Sequence, residues 1–277
     1  MKIKDHFLSQ ESFNIVETEI QGIYKTSPIP SSLEKYYESK DYISHHQDSN
    51  SIKERIYKFA QSFNLNYKRN LLAKETFHNA KVLDYGCGAG EFLKHIENDV
   101  QTFGYEPNDA ARNFAQQKTK KTKFVNQITD IDDNSLDVIT LWHVFEHIEN
   151  QEEILKIFSQ KLKADGTLII AVPNCTSYDA KHYKEFWAAY DVPRHIFHFS
   201  KKGMEKLMNN ENWKLDKIKP LHLDSYYISI LSEKYKKNPL FWIFGGIHGA
   251  ISNFKALKTG EFSSLIYIIK KRKKIDF

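Results

Sequence analysis

From residue 81 onward, short apolar runs alternate with helix-forming stretches, and this alternation leaves few architectures open. Residues 81–85, 102–106, 123–126, 136–142 and 166–172 read as five short strands. Glu91–Glu97, a segment capped by Asn108 or Asp109, and Glu152–Leu162 read as helices between them. Near-continuous apolar strands separated by helices imply a parallel sheet covered on both faces. Lys214–Leu221 and Ser264–Lys270 read as two later strands with no clear helix between them, which suits an antiparallel pair at one sheet edge.

The remaining sequence is less regular. Residues 1–48 read as an irregular extension, with Pro28 and Pro30 breaking structure. A helix follows, with a Ser51–Glu54 capping box and Ile52, Ile56, Phe59 and Phe63 at helical spacing. The chain of 277 residues carries a mild net charge of +5, and its one dense basic run is Lys270–Lys274. No broad basic face for nucleic acid is expected from that balance. Cys87 and Cys175 are the only cysteines and form no C-x-x-C pair, so neither a zinc knuckle nor a disulfide framework is expected. The residues after Met1 lack the apolar core of a signal peptide, and a cytoplasmic, reducing setting is expected. The most apolar stretch, Pro239–Phe254, is broken by glycines and polar residues and reads as a buried or lid segment, not a stable membrane span.

The sharpest local signal is Val82-Leu-Asp-Tyr-Gly-Cys-Gly-Ala-Gly-Glu-Phe-Leu93. A strand ends at Asp84, and Gly86, Gly88 and Gly90 form a turn into a helix. Without Cβ atoms, such a turn bends tightly and lets a ligand touch backbone. It lies where open parallel sheets bind ligands, beyond the strands' carboxyl ends. A dinucleotide turn would place a third glycine where Glu91 stands, and an acidic side chain repels a pyrophosphate. Asp84 suits a cation instead. Glu106, 22 residues after Asp84, can accept hydrogen bonds from both hydroxyls of a ribose.

These residues resemble the core of class I methyltransferases that use S-adenosylmethionine (SAM), a cofactor with an ammonium, a sulfonium and no phosphate. The first motif matches at Asp84, Gly86, Gly88 and Gly90, and the second-strand acid at Glu106. The fourth-strand segment matches in Asp137–His147, and the fifth-strand ending in Leu168–Asn174. The branch resembled is that of ubiquinone and menaquinone biosynthesis. The resemblance implies a Rossmann-like, doubly wound, seven-stranded α/β sheet, mostly parallel with an antiparallel edge strand. It also implies that Asp84, Tyr85, Gly86, Cys87, Gly88 and Gly90 line the methionine part of SAM. Glu106 and Pro107 would hold the ribose, Gln127 and Ile128 would flank the adenine, and Trp142 and His143 would face cofactor and acceptor.

His143-Val-Phe-Glu-His147 also spells H-x-x-E-H, a metal-protease signature when helical. Its place directly after a buried strand favours the methyltransferase reading. In some of the relatives resembled, acidic and His side chains here hold a divalent cation. His143 stands where those proteins can have an acid, so no metal is expected. Residues 175–200 interleave Asp191, Arg194, His195 and His198 with Trp187, Tyr190, Phe197 and Phe199. Aromatics can wall an acceptor pocket, and Arg194 can bind a carboxylate or phosphate, or else pair with Asp191 within a buried loop. Asp191, Arg194, His195 and His143 are the candidate catalytic residues, with His195 the first choice of general base.

The sequence is therefore expected to form a methyltransferase domain from residues 49–221 and 264–277, with 222–263 as an aromatic cap. The expected activity is methyl transfer from SAM to a small-molecule acceptor, with oxygen the atom expected to be methylated. A SAM-fold scaffold without turnover is the competing reading.

Overall fold

The computed structural model describes residues 1–36, 52–210 and 212–272. Strands β1 (Lys2–Lys4), β2 (Ser12–Glu17) and β3 (Ile23–Ser27) form an antiparallel meander ahead of helix α1 (Ile52–Ala73). These strands correct the expectation of an irregular extension. Phe13 and Ile15 alternate inward along β2. The partner that closes this sheet lies far along the chain: β3 pairs with β9 (Phe197–Phe199). The expected Ser51–Glu54 capping box, residues 37–48 and the end of the basic run fall outside the described residues. On α1, Phe59 is 75% and Phe63 52% exposed, so the expected apolar face is not buried at these positions.

The large sheet begins with β4 (Lys81–Tyr85), α2 (Glu91–Ile96), β5 (Gln101–Tyr105), α3 (Asp109–Lys118) and β6 (Lys123–Phe124). It continues with β7 (Leu136–Trp142), α4 (Gln151–Lys161) and β8 (Leu162–Pro173). After α5 (Tyr178–Tyr183), β9 and α6 (Lys201–Leu207), β10 (Trp213–Pro220) and β11 (Ser264–Lys271) complete it. The strand order is β10-β11-β8-β7-β4-β5-β6. β4 to β8 are mutually parallel, β11 runs antiparallel to β8, and β10 pairs antiparallel with β11. The expected α/β fold is thus present, with the antiparallel strand inserted next to the edge.

Alternation along the strands loads both faces of this sheet. Leu83, Ile139 and Ile170 enter one core cluster, while Val82, Val138 and Ile169 enter another. The order in which successive strands are added reverses between β4 and β7, the point where open parallel sheets form a crevice at the carboxyl ends. Asn108 and Ser200 cap α3 and α6, with Asn108 Oδ1 accepting from the Ala111 amide and Ser200 Oγ from the Gly203 amide.

Between β10 and β11 the chain forms two helices, α7 (Asp224–Tyr235) and α8 (Phe241–Thr259), where the sequence showed no clear helix. They pack backbone to backbone: a Cβ on Gly245 would meet the Ile230 Cα at 2.5 Å, and one on Gly249 the Tyr226 Cα at 2.7 Å. The expected burial of residues 239–254 holds only for the small side of α8. Its outer side shows Ile243, Ile247 and Phe254, 49–76% exposed. No described helix is long and apolar enough to cross a membrane.

Candidate functional site

The glycine turn sits at the carboxyl end of β4, where Gly86, Gly88 and Gly90 have φ of +74°, +54° and +75°. L side chains rarely adopt these angles, which explains the residue type. The turn is held from β5: the Gly86 and Cys87 amides donate to the Tyr105 carbonyl at 2.8 and 3.0 Å. Tyr85 stacks on Tyr105 at 4.5 Å between ring centroids. Glu106 follows directly, accepting from the Gly88 amide at 2.8 Å and the Asn108 amide at 3.0 Å. A Cβ on Gly88 would meet nothing within 4 Å, so the turn faces open space there. Pro107 lies exposed beyond Glu106.

Asp84 is buried and accepts from Thr140 Oγ1 at 2.7 Å. Burial pushes its carboxyl up to about 7, against the Thr140 bond and the Lys68 ammonium, while Glu106 adds to the rise. Lys68, from α1, reaches the same region and lies 4.6 Å from the Trp142 ring centroid. Burial lowers its pKa, and Asp224 and Asp84 oppose that shift. Glu91 is paired with Lys118. The case against a pyrophosphate therefore rests on Asp84 and Glu106, not on Glu91.

Gln127 and Ile128, expected to flank the adenine, follow β6 at the carboxyl end of the sheet. Gln127 is exposed and begins a short helical turn in which its amide donates to Asp130. Ile128 belongs to the main core. Trp142 packs edge-on against Phe92 at 5.2 Å, and its Nε1 is buried without a hydrogen-bond partner.

The end of β7 touches the glycine turn, because a Cβ on Gly86 would meet Val144 at 2.6 Å. The H-x-x-E-H segment is no regular helix here: His143 has φ of +58°, and only Phe145–His147 form a single tight turn. The protease-type arrangement is thereby excluded. His143 Nε2 lies 2.8 Å from Asp224 Oδ2, and its Nδ1 3.4 Å from Glu146 Oε1. Burial would lower the His143 pKa, but Asp224 and Glu146 outweigh it and push the pKa up to about 10. His143 is thus an imidazolium near neutrality, which removes it as a general base. A raised folded-state pKa stabilises fully below the unfolded value of about 6.5. That contribution is lost as pH climbs toward 10. Wild-type melting temperature should therefore fall more steeply than that of His143→Asn between these limits, as measured by thermal unfolding across pH.

Glu146 is fully buried, and neither carboxylate oxygen has a hydrogen-bond partner. Burial raises its pKa, yet His143, His195 and His147 together bring it below the usual carboxylate value. His195 places Nε2 4.0 Å from Glu146 Oε1, while its Nδ1 donates to the Ala189 carbonyl at 2.9 Å. Burial, with help from His147, pulls the His195 pKa down to about 4. Its Nε2 is then an unprotonated acceptor at neutral pH. His147 crosses His195 edge-on at 4.7 Å and donates from Nδ1 to the Arg194 carbonyl at 2.8 Å. The Nδ1 bond of His195 leaves its Nε2 as the ligand position, in the manner of metal-ligating histidines. Glu146, His147 and His195 offer ligand atoms within 4.8 Å of one another, so a divalent cation fits with His195 in place of the His143 considered from sequence.

Arg194 departs from its expected role at an acceptor. It is 2% exposed and fully occupied by protein. Its Nε and Nη2 donate to Asp191, Nη2 also to Asp5, and Nη1 to the Tyr36 carbonyl, at 2.7–3.0 Å. Asp191 and Arg194 are consequently a strut between the N-terminal sheet and the loop carrying His195. His198 is likewise structural, donating to Thr26 Oγ1 at 2.9 Å while that hydroxyl donates to the His195 carbonyl. Lys68 and Asp224 were missed from sequence. Neither belongs to a local motif, and only the packing of α1 and α7 brings them to the crevice.

Residues 55–218 match the methyltransferase-domain family. An uncharacterized protein of Methanocaldococcus jannaschii is 30% identical over 176 residues, which are 60% of this chain and 66% of that protein. The ubiquinone/menaquinone biosynthesis C-methyltransferase of Campylobacter jejuni is 24% identical over 101 residues, 32% of this chain and 43% of the relative. The chain thus spans less than two thirds of either relative. Among solved structures, the putative methyltransferase of Haloferax volcanii, in complex with a methyltransferase activator, aligns with a TM-score of 0.57 at 16% identity. That alignment covers 77% of this chain and 92% of the other, and it bears on the fold alone.

Proposed function

The chain belongs to the class I SAM-dependent methyltransferases, with SAM as its cofactor, and from that premise we propose that it methylates a hydroxyl oxygen of a small-molecule acceptor by in-line displacement. The observation that carries this reading is the buried Glu146 carboxylate. It lacks hydrogen-bond partners, faces His195 Nε2, and follows the β7 end that touches the glycine turn.

In the proposed reaction Gly86, Gly88 and Glu106 hold the cofactor, and Asp84 draws its cationic amino-acid end. The enzyme's main contribution is to position the acceptor oxygen in line with the sulfonium methyl. The new C–O bond forms as the S–C bond breaks and leaves its electron pair on sulfur. The hydroxyl gains oxonium character and becomes a strong acid, so a base of modest strength suffices. His195 Nε2 accepts that proton, and Glu146 stabilises the resulting imidazolium. A divalent cation on Glu146, His147 and His195 would supply an alternative by acidifying a hydroxyl bound to it. The α7–α8 hairpin serves as the cap on the acceptor side, a role supported by the Asp224–His143 contact.

Calorimetric titration with SAM, S-adenosylhomocysteine and NAD tests the cofactor assignment. Both adenosyl ligands should bind, NAD should not, and Glu106→Ala should weaken SAM by about 10–100-fold through lost charge-assisted hydrogen bonds. NAD binding without SAM binding would overturn the reading. SAM binding without turnover on any hydroxylated acceptor would leave a scaffold.

A further inference from the structure

Away from the crevice, three elements bring metal-ligating side chains together. His182 comes from α5, Glu233 from the end of α7 and His248 from the middle of α8. One ligand atom from each lies within 4.8 Å of the others. Glu233 is 2% exposed, and its Oε2 accepts from Asn238 Nδ2 at 2.7 Å. Its Oε1 lies 3.7 Å from Lys236 Nζ. The His182 and His248 rings stack at 4.0 Å between centroids. His248 Nδ1 is buried with no hydrogen-bond partner, and so is the hydroxyl of Tyr183, whose side chain packs edge-on against His248.

Unpartnered buried polar atoms are rare and call for an explanation. We propose that His182, Glu233 and His248 bind a divalent transition-metal ion, zinc foremost, that clamps α5, α7 and α8 together. Two imidazoles and one carboxylate are a ligand set that zinc accepts, with water in the fourth position. Tetrahedral bonds of the usual length put ligand atoms about 3.4 Å apart. Closing from the present separation requires the stacked His182 and His248 rings to turn so that both lone pairs converge, with the exposed His182 the ring that moves. The ion sits on the helix whose first residue, Asp224, holds His143, so it would stiffen the cap from the far end of α7.

The test is zinc titration by calorimetry of the untagged chain after chelator treatment, with thermal unfolding alongside. Wild type should bind a zinc equivalent that raises its melting temperature. His182→Ala, at an exposed position, should lose that equivalent or weaken it on the order of 100-fold. His147→Ala should retain it, because that change touches only the separate Glu146 cluster. Zinc binding unchanged in His182→Ala, zinc lost in His147→Ala alone, or no zinc bound by wild type would each overturn the proposal. If Glu233→Gln fails to fold, His182→Ala still decides the outcome.

Discussion

Arg194→Ala is expected to destabilise the protein by about 3–5 kcal/mol, the usual result of removing one partner from a buried ion pair. The guanidinium donates to two carboxylates and one carbonyl while 2% exposed. Truncation would strand Asp5, which is 1% exposed. The Ser9 amide and hydroxyl would still donate to Asp5, but its cation would be gone. Burial alone raises the Asp5 pKa, and the Arg194 bond is the first factor holding it below its ordinary value. A depressed carboxylate stabilises above its unfolded pKa and loses that stabilisation as pH falls through the folded value. The stability gap between wild type and variant should therefore narrow as pH falls below 3.8, where wild type loses this contribution and the variant has none to lose. Urea titrations at neutral pH measure the main effect. Asp191→Asn is the milder control, because the Asp191 side chain is 27% exposed and water can replace part of what it gives. Equal stability of Arg194→Ala and wild type would show that this strut contributes nothing.

Much of the sheet was legible because its strands are short, apolar and separated by helices with ordinary caps. Lys81–Tyr85 and Leu136–Trp142 matched as read, and the other strands moved by one or two residues apart from β8, which begins four residues earlier. The glycine turn and Glu106 were legible because tight turns and ribose-directed acids use few residue types. Features made by distant partners were not legible. β1 to β3 close onto Phe197–Phe199, which no local pattern announces. α8 carries apolar residues on its outer side and small ones on its inner side, reversing the polarity that marks an amphipathic helix. The same limit applies at the site. Arg194 reads equally well as an anion binder or a strut until Asp5 is placed beside it. His143 reads as a base until Asp224, 81 positions later, supplies the second carboxylate.

His195→Ala should lower kcat by about 100- to 10,000-fold, the range for losing a positioned general base, while SAM affinity stays within a few-fold of wild type. The one hydrogen bond described for the ring goes to the Ala189 carbonyl, and Glu106 and Gly88 bond to each other without it. Its removal leaves Glu146 facing His143 and His147 only, so the carboxylate stays neutralised and the fold should survive. His195→Gln separates the two roles the ring can play. An amide can accept a hydrogen bond but cannot take a proton. A base therefore fails in both variants, whereas an orienting group is partly rescued by Gln. The pH profile adds a third reading. The pKa near 4 implies that the unprotonated ring is present throughout the neutral range. Turnover of wild type should then show no acidic limb from His195 above about pH 5. Full turnover in His195→Ala with SAM bound would remove the base from this position and leave cation-assisted transfer on Glu146 and His147 as the better account.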